Sequence, residues 1–129
     1  QIIQKYSKKI PIYLLNPISE LIQKSDLVIT ITPEGWAPST VILESMILQK
    51  PTMNIVLDEK MYEFEYIKKN AAVAIPDTAN LQNEIEEILF NQELRKNLVK
   101  NSKIFVNSFL KNPGSASKEL ADIIRNYNN

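Results

Sequence analysis

The sequence predicts an α/β domain of three layers, with a parallel sheet of about four strands and helices on both faces. Short apolar runs rich in β-branched residues alternate with helix-period patterns, which is the signature of βαβ units. The runs are apolar throughout instead of alternating, as suits strands covered on both faces. Each pair of runs is separated by enough chain for a helix, and such a crossover joins parallel strands and is right-handed in nearly all folds. A length of 129 residues is enough for one domain with a real core.

The elements follow in order. Gln1 to Lys9 is polar with Ile2, Ile3 and Tyr6 at helical spacing, so it reads as the end of a helix. Ile10 to Leu15 is a short apolar strand. Asn16 is expected to cap the next helix with Pro17 as its first residue, where a missing N–H costs nothing; Ile18, Leu21 and Ile22 face inward and the helix runs to about Lys24. Leu27 to Thr32 is the second strand. Pro33, Gly35 and Pro38 break the backbone, Ser39 is the expected N-cap, and Val41 to Leu48 is a helix ended by Lys50-Pro51. Thr52 to Val56 is the third strand. Asp58 to Lys69 reads as a helix, acidic at its start and basic at its end, closed by a left-handed Asn70. Ala71 to Ile75 is the fourth strand. Asn80 is expected to cap a helix with Leu81, Ile85, Ile88 and Leu89 on one face, followed by a helix carrying Leu94, Leu98, Phe105 and Phe109. After Asn112 to Ser115, a last helix, Ala116 to Tyr127, is expected to turn Leu120, Ile123, Ile124 and Tyr127 inward. Four strands are few for a doubly wound sheet, and the chain starts at Gln1, so the expectation is a piece of a larger protein whose front is missing.

Composition narrows the chemistry. Fifteen basic and fifteen acidic residues cancel, which argues against a nucleic-acid footprint. No apolar run is long enough to span a bilayer. With no cysteine there is no disulfide or thiolate metal site, which fits a cytosolic setting. With no histidine there is no imidazole base, Ser-His triad or imidazole metal ligand in this chain. Two glycines cannot make a GxGxxG or a P-loop. No catalytic residue, metal ligand or cofactor is assigned.

Candidate binding residues gather in the stretch Ser25 to Val56. The loop Thr32 to Pro38, with Gly35 and Trp36, lies at the carboxyl end of a parallel strand, where open α/β sheets bind ligands. Ser39 and Thr40 open a helix whose first amides favour an anion. Glu44 lies one turn on, on the face of Thr40. A phosphate site followed by a carboxylate at that spacing suits a nucleotide held by its phosphates and ribose hydroxyls. The plainer readings stand beside it. Ser39 and Thr40 are ordinary cap residues, and Glu44 belongs to a solvated stripe with Thr40, Ser45 and Gln49. Trp36 either stacks on a base or sugar, packs on a partner domain, or anchors its loop. Asn16 and Ile18 follow the first strand at the same edge and there border a base, or serve only as cap and core.

The strings D-L-V-I-T (Asp26 to Thr30), P-S-T (Pro38 to Thr40) and E-S-M-I-L-Q-K-P (Glu44 to Pro51) resemble the C-terminal nucleotide-sugar-binding domain of GT-B glycosyltransferases, a Rossmann-like fold. Within it they look most like the UDP-N-acetylglucosamine 2-epimerase and polysaccharide transferase branch. The tail from Glu93 to Phe105, with a final helix after N-P-G-S-A-S (Asn112 to Ser117), is similar too, so the resemblance covers most of the chain from Leu15. It implies that Ser39 and Thr40 hold a donor diphosphate, that Glu44 accepts hydrogen bonds from the ribose, and that the loop after Leu15 touches the base, with UDP favoured. The acceptor site and catalytic base then belong to an N-terminal domain absent from this chain, and the protein works in the cytoplasm or at the inner membrane face. Three positions depart from the family pattern: Ser39-Thr40 replace adjacent glycines, and Gln49 replaces the glycine before Lys-Pro. No basic residue lies between Thr32 and Glu44.

The leading expectation is thus a donor-binding domain of a glycosyltransferase in polysaccharide or glycoconjugate biosynthesis, inactive alone. A nucleotide-sugar 2-epimerase relative and a non-enzymatic assembly module of the same fold are the alternatives. An incomplete sheet has a free edge, and free edges recruit partners, so self-association into a homo-oligomer is also expected.

Overall fold

The computed structural model describes Pro11, Tyr13 and residues 15–57, 64–76, 80–111 and 114–127. The elements are α1 (Ile18–Lys24), β1 (Val28–Thr32), α2 (Thr40–Ile47), β2 (Thr52–Val56), α3 (Glu65–Lys68), β3 (Val73–Ile75), α4 (Leu81–Phe90), α5 (Gln92–Phe109) and α6 (Ala116–Tyr127). Among the described residues the sheet has three strands in the order β1-β2-β3, all parallel, with Thr30 beside Asn54 and Asn54 beside Ala74. The expected helix in residues 1–9 lies outside the described residues, as do residues 58–63; the helix expected to run from Asp58 to Lys69 starts at Glu65, because Phe64 at ψ 135° is extended and breaks it from any helix upstream. The expected first strand is not found where it can be seen: Pro11, Tyr13 and Leu15 carry no strand structure and are exposed, while Ile10, Ile12 and Leu14 lie outside the described residues.

The central strand shows why the sheet needs helices on both faces. All five residues of β2 are buried. Met53 and Ile55 point to one face, where they pack with Ile75, Ile88 and Leu98. Asn54 points to the other, as strand alternation requires, toward Tyr66 and the cluster of Ile42, Met46, Ala71, Ala72, Phe105 and Val106. The long helix α5 serves both clusters, Leu98 in one and Phe105 in the other. Each fully buried side chain of this kind contributes roughly 1.5–3 kcal/mol.

Helix ends follow local chemistry, with exceptions. Ser39 caps α2 as expected, its Oγ accepting from the Val41 amide at 3.2 Å. α2 closes in a Schellman turn: the Gln49 amide donates to the Met46 carbonyl (3.1 Å) and the Lys50 amide to the Ser45 carbonyl (2.9 Å). That turn puts Gln49 at φ 57°, a left-handed conformation natural to glycine. α3 ends in the same way at Asn70, φ 50°, as its sequence predicts. Asn91 caps α5 by accepting from the Leu94 amide at 3.0 Å.

Four expectations are corrected. Asn16 does not cap α1. Pro17 holds the N-cap position and no side chain caps the helix, because the Pro17 carbonyl already takes the Glu20 and Leu21 amides and Asn16 stands one residue too far upstream. Asn80 holds the N-cap of α4 without a side-chain bond; at ψ 15° it lacks the extended backbone that aims a cap side chain at the first turn. Ser45 is not part of a solvated stripe: it is fully buried and its hydroxyl donates to the Val41 carbonyl. Leu120, Ile123, Ile124 and Tyr127 are not inward, all being exposed along α6. Their spacing defines an apolar stripe, but spacing does not supply a surface to cover it. Phe109 is likewise exposed, although its ring stacks on Phe105 with centroids 5.2 Å apart.

Candidate functional site

The carboxyl edge of β1 and β2 is built by two segments. After Thr32 the chain makes a tight turn, with the Trp36 amide donating to the Pro33 carbonyl at 3.2 Å and Gly35 at φ 75°. Positive φ at the third turn position is what a type II turn demands. A Cβ on Gly35 would meet nothing within 4 Å, so the glycine serves the backbone conformation and not a close approach. Trp36 stands out from this turn with 68% of its surface exposed. Ser39 then starts α2. Its hydroxyl takes the Val41 amide and its carbonyl the Ile42 amide. The Thr40 amide and hydroxyl have no partner among the described residues.

A cavity of about 360 Å³ opens beside this helix start. Pro38, Ser39 and Thr40 form one rim, and Phe64 and Glu65, after β2, form the other. Ile42, Leu43 and Met46 of α2 also line it, and Tyr66, Phe105 and Phe109 give it an aromatic wall. The aromatic wall is continuous: Phe64 stacks on Tyr66 at 5.4 Å and Tyr66 meets Phe105 edge-on at 6.5 Å. Among the described residues of the lining Glu65 is the only charged one, and no cation there faces an anion at the helix start.

The seven sequence-predicted residues are only partly brought together. Ser39 and Thr40 line the cavity, and Gly35 and Trp36 sit in the loop just before them. Glu44 is half-buried one turn along α2, beside Thr40 but outside the described lining of the cavity, and its carboxylate has no hydrogen bond or ion pair among the described residues. Ile18 shares a different cavity, of about 250 Å³, with Val41 and residues of α1 and β1. Asn16 borders a third, of about 330 Å³, with Tyr13, Glu20 and Lys24.

A buried polar network beneath the cavity escaped the sequence reading. Asn54, fully buried in mid-strand, donates from Nδ2 to Tyr66 Oη at 2.8 Å and to Thr32 Oγ1 at 3.0 Å. Its Oδ1 accepts from Thr30 Oγ1 at 3.0 Å and Thr32 Oγ1 at 3.2 Å. It pins the Tyr66 ring, which lines the cavity. Burial pushes the Tyr66 phenol above its ordinary pKa, with the Asn54 bond pulling partly the other way, so Tyr66 is neutral at physiological pH and a poor base. The signal was present: an asparagine inside an apolar strand, and threonines at i and i+2, needed partners.

Among the described residues, no three His, Cys, Asp or Glu side chains group to hold a metal ion, and no helix is long and apolar enough to cross a membrane. Comparison with protein-family models, with curated proteins and with solved structures finds no match.

Proposed function

We propose that this chain is the Rossmann-like C-terminal domain of a GT-B glycosyltransferase and binds a nucleotide-diphosphate-sugar donor for polysaccharide or glycoconjugate synthesis. The observation that carries the reading is the start of α2 at the carboxyl edge of β1. There the Thr40 amide and hydroxyl and the Glu44 carboxylate lie on one helix face without partners among the described residues. A diphosphate at Thr40 meets an open amide and the positive end of the helix dipole, and a ribose one turn on meets Glu44. Trp36, exposed in the adjoining loop, offers a ring face to base or sugar. The domain acts by binding the donor and stabilising the leaving diphosphate. The counter-charge that the lining lacks, the acceptor and the proton-transfer group come from a second domain across this edge.

Titration calorimetry with UDP tests the reading. A carboxylate bonded to ribose hydroxyls contributes about 1.5–3 kcal/mol, so Glu44→Ala should weaken binding about ten- to a hundredfold. Equal affinities would count against it.

A second reading, a non-enzymatic assembly module, draws on other residues. Ile29 and Ile31 on β1, with Trp36 and Leu57 beyond the strand ends, are exposed. Such a module gives no UDP response and buries these side chains in a complex.

A further inference from the structure

The amino edge of the sheet holds a cavity of another character. It encloses about 390 Å³ between Ser25 and Asp26 ahead of β1, Gln49 to Pro51 ahead of β2, and the first half of α5. Three of its lining side chains are cations, Lys50, Arg95 and Lys96, and Asp26 is its only acid among the described residues. None of the three makes an ion pair among the described residues. Two are fixed in place: Lys50 Nζ donates to the Ser25 carbonyl at 2.9 Å, and Arg95 Nη1 donates to the Leu89 carbonyl at 3.1 Å. The Schellman turn at Gln49 brings Lys50 to this edge. Each anchor uses one donor, and an ammonium has three N–H groups and a guanidinium five, so most of the donors of both residues stay open.

We propose that this amino-edge cavity binds the phosphate dianion of a small molecule. Three cations against one carboxylate leave a surplus of two positive charges (3 − 1 = 2), which a phosphate dianion neutralises and a single carboxylate does not. A planar guanidinium beside two ammoniums matches phosphate geometry, the fork taking two oxygens and the ammoniums acting as point charges. The site stands apart from the carboxyl-edge reading and shares no lining residue with that cavity.

The test follows backbone amides of the 129-residue chain by NMR during titration with inorganic phosphate, and separately with glycerol phosphate, at constant ionic strength balanced with chloride. Saturable shifts are expected at Ser25, Asp26, Gln49, Lys50 and Arg95 to Val99, and none at Ser39 to Glu44. Lys96→Gln touches an exposed side chain without a bonded partner among the described residues, keeps the fold, and should weaken binding about two- to fivefold. Arg95→Gln with Lys96→Gln should weaken it at least tenfold. Tighter binding of the ester names a phosphomonoester as the ligand; tighter binding of the free ion names inorganic phosphate. Absence of saturable shifts, equal shifts with chloride alone, or undiminished binding in the double variant would overturn the proposal and leave the cations as complements to helix C-termini.

Discussion

Asn54→Val isolates the polar network under the candidate site. Asn54 is fully buried and makes four hydrogen bonds of 2.8 to 3.2 Å to Thr30, Thr32 and Tyr66. Valine removes every partner at once. Thr30 keeps an alternative acceptor, the Met53 carbonyl at 3.4 Å. Thr32 and Tyr66 keep no other side-chain partner among the described residues. Each stranded hydroxyl costs about 1–3 kcal/mol, and the extra apolar burial of valine returns about 1 kcal/mol. The expected net loss is thus about 3 kcal/mol, a large share of a typical stability of roughly 5–15 kcal/mol. Urea denaturation reads it as a fall in midpoint with an unchanged slope. Thr32→Val should cost less in the Asn54→Val background than in the native chain, because its bonds are already gone. A loss below about 1 kcal/mol, or strict additivity of the pair, would refute the coupling of these side chains through Asn54.

Two further perturbations probe particular joints. Gln49→Gly should stabilise the fold: relieving a left-handed non-glycine residue returns about 1–2 kcal/mol, the freer unfolded chain takes back about 0.4–1 kcal/mol, and the net gain of about 0.5–1 kcal/mol should raise Tm by roughly 2–4 °C for a chain of this size; an unchanged or lower Tm would deny the strain. Tyr66 has a raised pKa from burial, so the folded chain holds its proton more tightly than the unfolded one. Its contribution is therefore full below an unfolded value near ~10 and is lost as pH rises through the folded value. Thermal melts should show a decline above that point which Tyr66→Phe removes.

The stretch from Ser25 to Val56 was legible because its signals are local. β-branched runs, Pro33 and Pro38, the Ser39 cap and Lys50-Pro51 each act within a few residues, and β1, α2 and β2 fall where those signals place them. The left-handed Asn70 is legible for the same reason. The cavity was not, because its walls come from Ile42, Phe64 and Phe105, far apart in sequence and joined only by packing. The outward stripe of α6 misled because periodicity names a face without naming its cover. Gln49 sits in a glycine conformation although the chain pattern alone read it as a surface helix residue; the Schellman turn, set by Ser45 and Met46 carbonyls, overrides its preference. Ser45 is the converse case, a polar residue buried because its hydroxyl returns to the Val41 carbonyl of its own helix.

The most direct test of the central claim is an amide NMR titration of the chain with UDP, CDP, GDP and ADP, repeated on Glu44→Ala. One nucleotide should move Gly35, Trp36, Ser39, Thr40 and Glu44 in a saturable way, and the shifts at this helix start should be lost in the variant. Shifts absent from that helix start at millimolar nucleotide, or kept undiminished in Glu44→Ala, would contradict it.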